Sequence, residues 1–467
     1  MPPKIVILGA GSAIFGLGAM ATLIRAPRLR GAELALVDVD EPALNMMTAL
    51  AHKMNEAWDA QMQISCSTER RDVLAGADFV VVSVQVGPRE TVWEMDWQIP
   101  LRHGVRQPYA ENGGPGSLAH TCRNLPLILD IARDMEQLCP EAWYLNLVNP
   151  LIRLTLGVHR YTRIKVLGLC HQLLWGYAMA GAVLAERYGI QVPEGFHVHT
   201  DADNLPNFIP VARAAYERMD IKAAGINHFS WIYNIRDKET GEDLYPALRQ
   251  QWLNGYRRNF EPLTREMFEI FGMMPTPGDS HLCEFLPFIA NPATKPWEKY
   301  ELKLQSWDGN RRRRASRWEL AKSILSDETP VEKLRNMWQF NILEEPVAEM
   351  IEAITYNDNY YAQQLNIPNN GGLIPNLPED AIVEVPGVIS GFGIQGLGFP
   401  PLPDGIAELC RRELELSSLV VDAAATGDRQ LALQALLLDP MVGDIDTARA
   451  ILDDFLKEFA EYLPQFA

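Results

Sequence analysis

Four short stretches of the chain gather more chemically capable side chains than packing alone requires. They are Asn146-Leu147-Val148-Asn149-Pro150, Cys170-His171-Gln172, Gly225-Ile226-Asn227-His228, and Gly278-Asp279-Ser280-His281 followed by Glu284. A thiolate and an imidazole ligate borderline divalent metals, and an imidazole or a carboxylate can carry a proton. Each residue alone also fits a plain role. A Cys at a strand end packs as a small hydrophobe, a His can be satisfied in a core, and Asn-Pro or an Asp among Gly and Pro can simply turn the chain. A fifth stretch, 106–124 (RQPYAENGGPGSLAHTCRN), adds Arg106, Glu111, Asn112, His120 and Arg123, a set that suits either a binding loop or a solvent-facing one.

A nucleotide signal stands at the start. Gly9-Ala10-Gly11-Ser12 follows an apolar run and opens a helical pattern, so backbone N–H groups can approach a pyrophosphate at a helix N-terminus. The third glycine of GxGxxG is missing, with Phe15 near that place and Gly16 later. Asp38 ends the next apolar run, where a carboxylate accepts both ribose hydroxyls and repels a 2′-phosphate, which favours NAD⁺ over NADP⁺. A plain turn with a surface Asp is the alternative.

These residues need a scaffold, and the apolar pattern supplies one. Continuous apolar runs at 4–8, 33–38, 78–84, 142–148 and 164–169 read as strands, with helical patterns at 13–25 and 41–57 between them. Buried strands alternating with helices predict a parallel, doubly wound α/β sheet of Rossmann type. The Asn149 and Cys170 segments then lie past the C-terminal ends of strands, where open α/β sheets bind ligands. Beyond about residue 195, Pro and Gly interrupt more often, helical patterns lengthen, and long loops are expected at 273–281 and 366–380. The chain therefore divides into a dinucleotide-binding domain, 1–195, and a mixed, helix-rich α/β domain, 196–467. The run Arg311–Arg314 reads as a solvated helix face rather than a binding patch.

At 467 residues, 47% hydrophobic and 22% charged, the chain can bury a sizeable core. A net charge of −18 disfavours nucleic acid and anionic membrane as partners and favours a small molecule. MPPKIVILGAG enters a strand with no leader pattern, and no apolar run reaches the ~18 residues of a membrane span. Six scattered cysteines without a CxxC pair point to a reduced cytoplasm, not a disulfide framework.

The chain resembles glycoside hydrolase family 4, the NAD⁺- and metal-dependent glycosidases. The resemblance rests on the GAGS turn, the Asn-Pro strand end, the Cys-His pair and the Gly-x-Asn-His segment. It extends to NNGGLIPNLPEDAIVEVP (369–386) and ALLLDPMV (435–442). It implies that Cys170 and His228 hold a divalent metal, Mn²⁺ in this family, with substrate hydroxyls completing the shell. It further implies that Gly9, Gly11, Ser12 and Asp38 hold NAD, that Asn149 holds sugar hydroxyls, and that His171 protonates the leaving oxygen. Asp279 is the expected base, with Tyr256 as the alternative. Arg106, Asn112, Arg123 and Asn227 are expected to contact the substrate. Gln172 and the 106–124 segment depart from the family forms, which leaves the sugar unnamed.

The resemblance implies a redox route in place of the two-carboxylate one. NAD⁺ takes a hydride from C3, the resulting ketone acidifies C2–H, the aglycone leaves by elimination, water adds, and the hydride returns. A His after the metal Cys points to a non-phosphorylated α-hexoside, or to an α-hexuronide whose carboxylate Arg106 and Arg123 would pair. A homodimer or homotetramer is expected. Two other readings share the nucleotide domain. One is an NAD-dependent dehydrogenase of the lactate/malate type, whose fold superfamily this one joins; the other is an NAD-binding regulatory module, which the Cys/His/Asn cluster disfavours.

Overall fold

The parallel half of the sheet forms where the apolar runs are densest. The structure is a computed structural model that describes residues 2–198, 204–337 and 346–467. Strands β1 (Lys4–Leu8), β2 (Glu33–Val37), β3 (Gln63–Ser67), β4 (Phe79–Val82), β5 (Trp143–Asn146) and β6 (Lys165–Gly168) lie in the order β3-β2-β1-β4-β5-β6. All are parallel, as Val6 pairing with both Ala35 and Val80 illustrates. This is a Rossmann order, and it reverses between β1 and β4, where a crevice opens at the strand ends. β3 (QISCS) has no counterpart among the predicted strands. It is the sheet's edge, its side chains exposed or half-buried, so it carries no apolar run.

The sheet continues past β6 in antiparallel form. Strands β7 (Met219–Ile226), β8 (Phe229–Asp237), β9 (Met274–Pro275), β10 (Tyr360–Pro368), β11 (Ile382–Ser390) and β12 (Gly393–Gly396) extend it in the order β6-β10-β11-β7-β8-β9, with β12 on β11. One register row crosses this join: Gly168 of β6 pairs Asn366 of β10, Asn366 pairs Glu384 of β11, and Glu384 pairs Gly225 of β7. The loop expected at 273–281 holds β9 and the short helix Gly278–Leu282; the loop expected at 366–380 begins as the end of β10.

The far end of the chain returns to the nucleotide half. Helix Asp404–Thr426 presents Leu416, Val420 and Val421 to a core that also contains Val6, Val80 and Tyr144; Ile451 and Phe455 of helix Ile445–Glu458 join it. Removing this apolar surface from water stabilises the fold by about 25 cal/mol per Å². The sequence division expected near residue 195 is thus crossed in space by both the sheet and these helices. Among the described residues no helix is long and apolar enough to cross a membrane.

Candidate active site

The turn after β1 is built for close approach. Gly9 (φ +84°) sits where a Cβ would run into the Ser83 carbonyl, and its N–H donates to Val37 O at 2.9 Å. The close helix–strand packing of the absent third glycine is supplied by Gly16, whose added Cβ would lie 2.7 Å from Ala10 O. The Ser12 hydroxyl accepts from Phe15 N–H at 3.3 Å, at the start of helix Phe15–Arg25. Asp38 accepts from Gly11 N–H at 2.8 Å and from Asp40 N–H at 3.0 Å. Gly9, Gly11, Ser12 and Asp38 all border one cavity of about 670 Å³ that continues to Glu111 and Asn149. Its glycine cradle and terminal carboxylate fit a dinucleotide.

Asn149 and Cys170 stand beyond the C-terminal ends of neighbouring strands β5 and β6. Asn149 donates to Glu111 Oε2 at 3.2 Å, and Arg89 holds the other Glu111 oxygen at 3.1 Å. Cys170 Sγ lies 3.1 Å from Nε2 of His228, which occupies the turn between β7 and β8. Burial, with His281 and His171 nearby, holds His228 well below the usual imidazole range and so in the neutral form a metal requires. Among the described residues no group of three or more His, Cys, Asp or Glu side chains could hold a metal. The Cys170–His228 pair therefore fits an ion that takes its remaining ligands from substrate or water.

A buried polar network lies under the pair. Glu384 accepts from Asn227 and Ser230 at 2.8 Å each, from Gln364 at 3.0 Å and from Asn366 at 3.3 Å. Burial raises the Glu384 carboxyl, and these donors oppose the rise. Gln172 donates to Ser230 Oγ at 2.6 Å and also to Thr276 Oγ1. The expected substrate contact Asn227 is thus an anchor of the hairpin turn through Glu384. Nothing in the sequence reading singled out Glu384 or Asn366; their one signal is a polar residue inside an otherwise apolar strand.

The 278–284 turn brings a different residue to the site than the one expected. The His281 ring stacks on His228 with centroids 4.8 Å apart, and its Nδ1 lies 2.7 Å from Glu284 Oε1. Glu284 is fully buried, its carboxyl raised by burial, and Oε2 accepts from Gly113 N–H at 3.2 Å. Trp175 stacks on His171 at 5.4 Å and meets His281 edge-on at 6.3 Å, and Tyr109 lies 4.9 Å from His281. His-x-x-Glu spacing on a helical turn was the available clue. Asn112 is buried nearby in sequence to Gly113, its Nδ2 without a hydrogen-bond partner among the described residues.

Asp279 and Arg123, like Asn227, are held by protein partners, and Tyr256 packs on an aromatic ring. Asp279 caps helix Pro262–Phe271: one carboxylate oxygen accepts from Leu263 N–H at 3.0 Å, the other from Thr264 N–H and Oγ1 at 2.7 Å each. Its oxygens thus satisfy the N–H groups of the second and third helix residues, which have no partner within the helix. Arg123 forms a sealed bidentate pair with Asp96, at 2.8 and 2.6 Å, joined by His120 at 3.0 Å. It is a core cation because helix Gly116–Leu138 is buried along most of its length. Tyr256 meets Phe260 edge-on at 5.4 Å. Arg106 donates to Leu302 O at 2.6 Å and lies over Trp297 at 4.9 Å, with no carboxylate in ion-pair contact among the described residues.

Comparison with known proteins gives the family of the chain. Residues 4–181 match the family model described as family 4 glycosyl hydrolase, and residues 223–442 match that of the family's C-terminal domain. An alpha-glucosidase of Erwinia rhapontici is 31% identical over 94% of both chains, and an alpha-galactosidase of Bacillus subtilis is 27% identical over 99% of both. The solved structure of lplD from Bacillus subtilis superposes with a TM-score of 0.81 at 26% identity, covering 97% of this chain and 99% of that one. A 6-phospho-alpha-glucosidase from gut microorganisms, solved with NAD and Mn²⁺, shares the fold at a TM-score of 0.76 and 19% identity, with both chains fully covered. The Rossmann-ordered sheet, the antiparallel extension that carries His228 to Cys170, and matches spanning both halves lead to one conclusion: the chain belongs to glycoside hydrolase family 4.

Proposed function

We propose that this enzyme hydrolyses non-phosphorylated α-hexosides or α-hexuronides by oxidation, elimination, addition and reduction, with NAD⁺ in the 670 Å³ cavity and a divalent ion, Mn²⁺ or a close equivalent, on Cys170 and His228. The observation that carries this reading is the Cys170–His228 pair, 3.1 Å apart, one strand over from the Asn149 end of the dinucleotide cavity. NAD⁺ supplies a reversible hydride acceptor and the ion a Lewis acid for sugar oxygens. The residues then divide the remaining work. Asn149, braced by Glu111, orients the sugar hydroxyls, and the unpartnered Asn112 amide offers a further donor. His171, stacked on Trp175, protonates the leaving oxygen.

His281 takes the base role in this reading. Glu284 fixes its Nδ1, and Nε2 makes no hydrogen bond among the described residues. Asp279 has a positioning part, since its cap on helix Pro262–Phe271 fixes the turn from which His281 projects. Arg106 supports the hexuronide option: burial disfavours its charge, and a substrate carboxylate would supply the partner it lacks.

The test is turnover of 4-nitrophenyl α-glycosides in D₂O with NAD⁺, Mn²⁺ and a thiol reductant. The expected result is nitrophenol release without NADH build-up, with deuterium at C2 of the released sugar. Activity without NAD⁺, giving sugar with no C2 deuterium, would replace this route by ordinary acid–base hydrolysis. Activity confined to 6-phosphoglycosides would overturn the substrate class.

A further inference from the structure

The arginine run at 311–314 does not form one solvated face. It lies on helix Trp307–Leu325, which bridges two helices of the nucleotide half. At one end Arg311 pairs Glu94 at 2.8 Å and Arg314 pairs Glu90 at 2.7 Å, both acids on helix Arg89–Arg102. At the other end Lys53, on helix Glu41–Ala57, donates to Ile324 O at 2.5 Å and pairs Asp327 at 2.6 Å. Arg314 itself and Trp318, four apart and so on one helix face, border the same cavity as Gly11, Ser12 and Asp38.

That placement meets a chemical need. The glycine turn offers a diphosphate only N–H dipoles, and its two negative charges call for a cation. Arg70 borders the cavity but is tied to Asp134 at 2.7 Å; Arg89 is held by Gln85 and by Glu111, which also braces Asn149. Arg314 holds Glu90 through Nη1 alone, leaving its other N–H donors for a new partner. Trp318 stands one turn further toward Lys53, whose helix begins just after Asp38, on the ribose side. There Val39 also borders the cavity with 90% of its surface exposed, an apolar face that a ring would cover.

We propose that helix Trp307–Leu325 is a clasp on the bound dinucleotide, with Arg314 on the diphosphate and Trp318 covering the adenosine. The inference rests on the reading that the cavity holds NAD⁺. It accounts for a C-terminal-half helix with three buried residues being pinned to the nucleotide half at both ends. It also suits a cofactor that is restored in every turnover and has no need to leave.

Equilibrium titration of NAD⁺ and of ADP-ribose, by calorimetry and by tryptophan fluorescence, tests it. Arg314→Ala and Arg314→Gln should each weaken both ligands roughly ten- to a hundredfold, the loss of a hydrogen bond between charged groups. Trp318→Ala and Trp318→Leu should weaken both and remove most of the fluorescence change on binding. Arg312→Ala, exposed on the same helix, should bind as the parent does, and Asp38→Ala should bind less well. Parent-like affinity in the Arg314 and Trp318 variants, with Asp38→Ala impaired, would overturn the clasp and leave the cofactor site standing. Failure of the parent to bind NAD⁺ would remove the cofactor site and the clasp together.

Discussion

Cys170 Sγ and His228 Nε2 stand 3.1 Å apart although 58 residues separate them in sequence. What brings them together is a ribbon from much later in the chain. β10 and β11 insert between β6 and β7, and Asn366 and Glu384 occupy the register row that links Gly168 to Gly225. The Cys170–His228 contact is therefore set by a sheet join rather than by either motif alone.

Cys170→Ser should abolish metal-dependent activity and leave NAD⁺ binding near its parent value. Loss of an outer partner of a metal ligand costs roughly 10–100-fold in affinity, so loss of the ligand itself should exceed about 100-fold. Mn²⁺ titration followed by paramagnetic relaxation measures it directly. Parent-like Mn²⁺ affinity would remove Cys170 from the metal site.

Glu384→Ala should disturb the same pair without touching it. Four side-chain donors would lose their acceptor in a buried setting, at about 1–3 kcal/mol for each group left unsatisfied. The expected outcome is a lower denaturation midpoint together with weakened Mn²⁺ binding. A variant of unchanged stability would show that Asn227 and Ser230 find other partners.

Arg123→Ala should destabilise the protein by about 3–5 kcal/mol, because it leaves Asp96 buried without its cation. Its preference among sugars should not change in the fraction that folds. A selective loss of α-hexuronide activity at parent stability would return Arg123 to substrate recognition. Arg106→Ala is the converse case: hexuronide activity should fall roughly 10–100-fold, with α-hexosides little affected.

Asp279 carries a pH signature. Burial first and the Glu261 charge second push its carboxyl up from 3.8 to about 7. A carboxyl raised in the folded state binds more protons there than in the unfolded chain. It therefore contributes stability that is full below about pH 4 and lost as pH rises through about 7. Asp279→Asn abolishes that titration and keeps an oxygen for the Thr264 N–H. The melting temperature of the variant should fall less steeply than the parent's between about pH 4 and pH 7. Glu413 and Asp439 are also raised, to about 8 and about 6, and are common to both proteins, while Glu261, raised by burial, faces Asp279, so the difference between the two curves reports the Asp279–Glu261 pair. Parallel curves would mean that Asp279 stays ionised as a cap.

Much of this architecture was written in local pattern. Strands β1, β2, β4, β5 and β6 announced themselves because both faces are buried, which demands uninterrupted apolar residues. Gly9, Gly11 and Asp38 were legible for a similar reason: a turn with no room for a Cβ and a carboxylate at the next strand end are properties of a few adjacent residues. Cys170 and His228 lie in motifs that the family resemblance marks, and the structure puts the two side chains in contact.

Tertiary structure alone decided what each polar side chain faces. Asp279 and Arg123 look the same in sequence whether they meet a ligand, a helix end or a buried acid; only packing assigned them to helix Pro262–Phe271 and to Asp96. Arg314 separated from Arg311, Arg312 and Arg313 because one helix turn points four consecutive arginines in different directions, and of the four only Arg314 borders the cavity. Glu384 and Asn366 remained hidden because pairing across a sheet between residues far apart in sequence leaves no periodic trace in either segment. A chain determines its elements through near neighbours, whereas a site is the meeting of their ends, and that depends on every long-range contact at once.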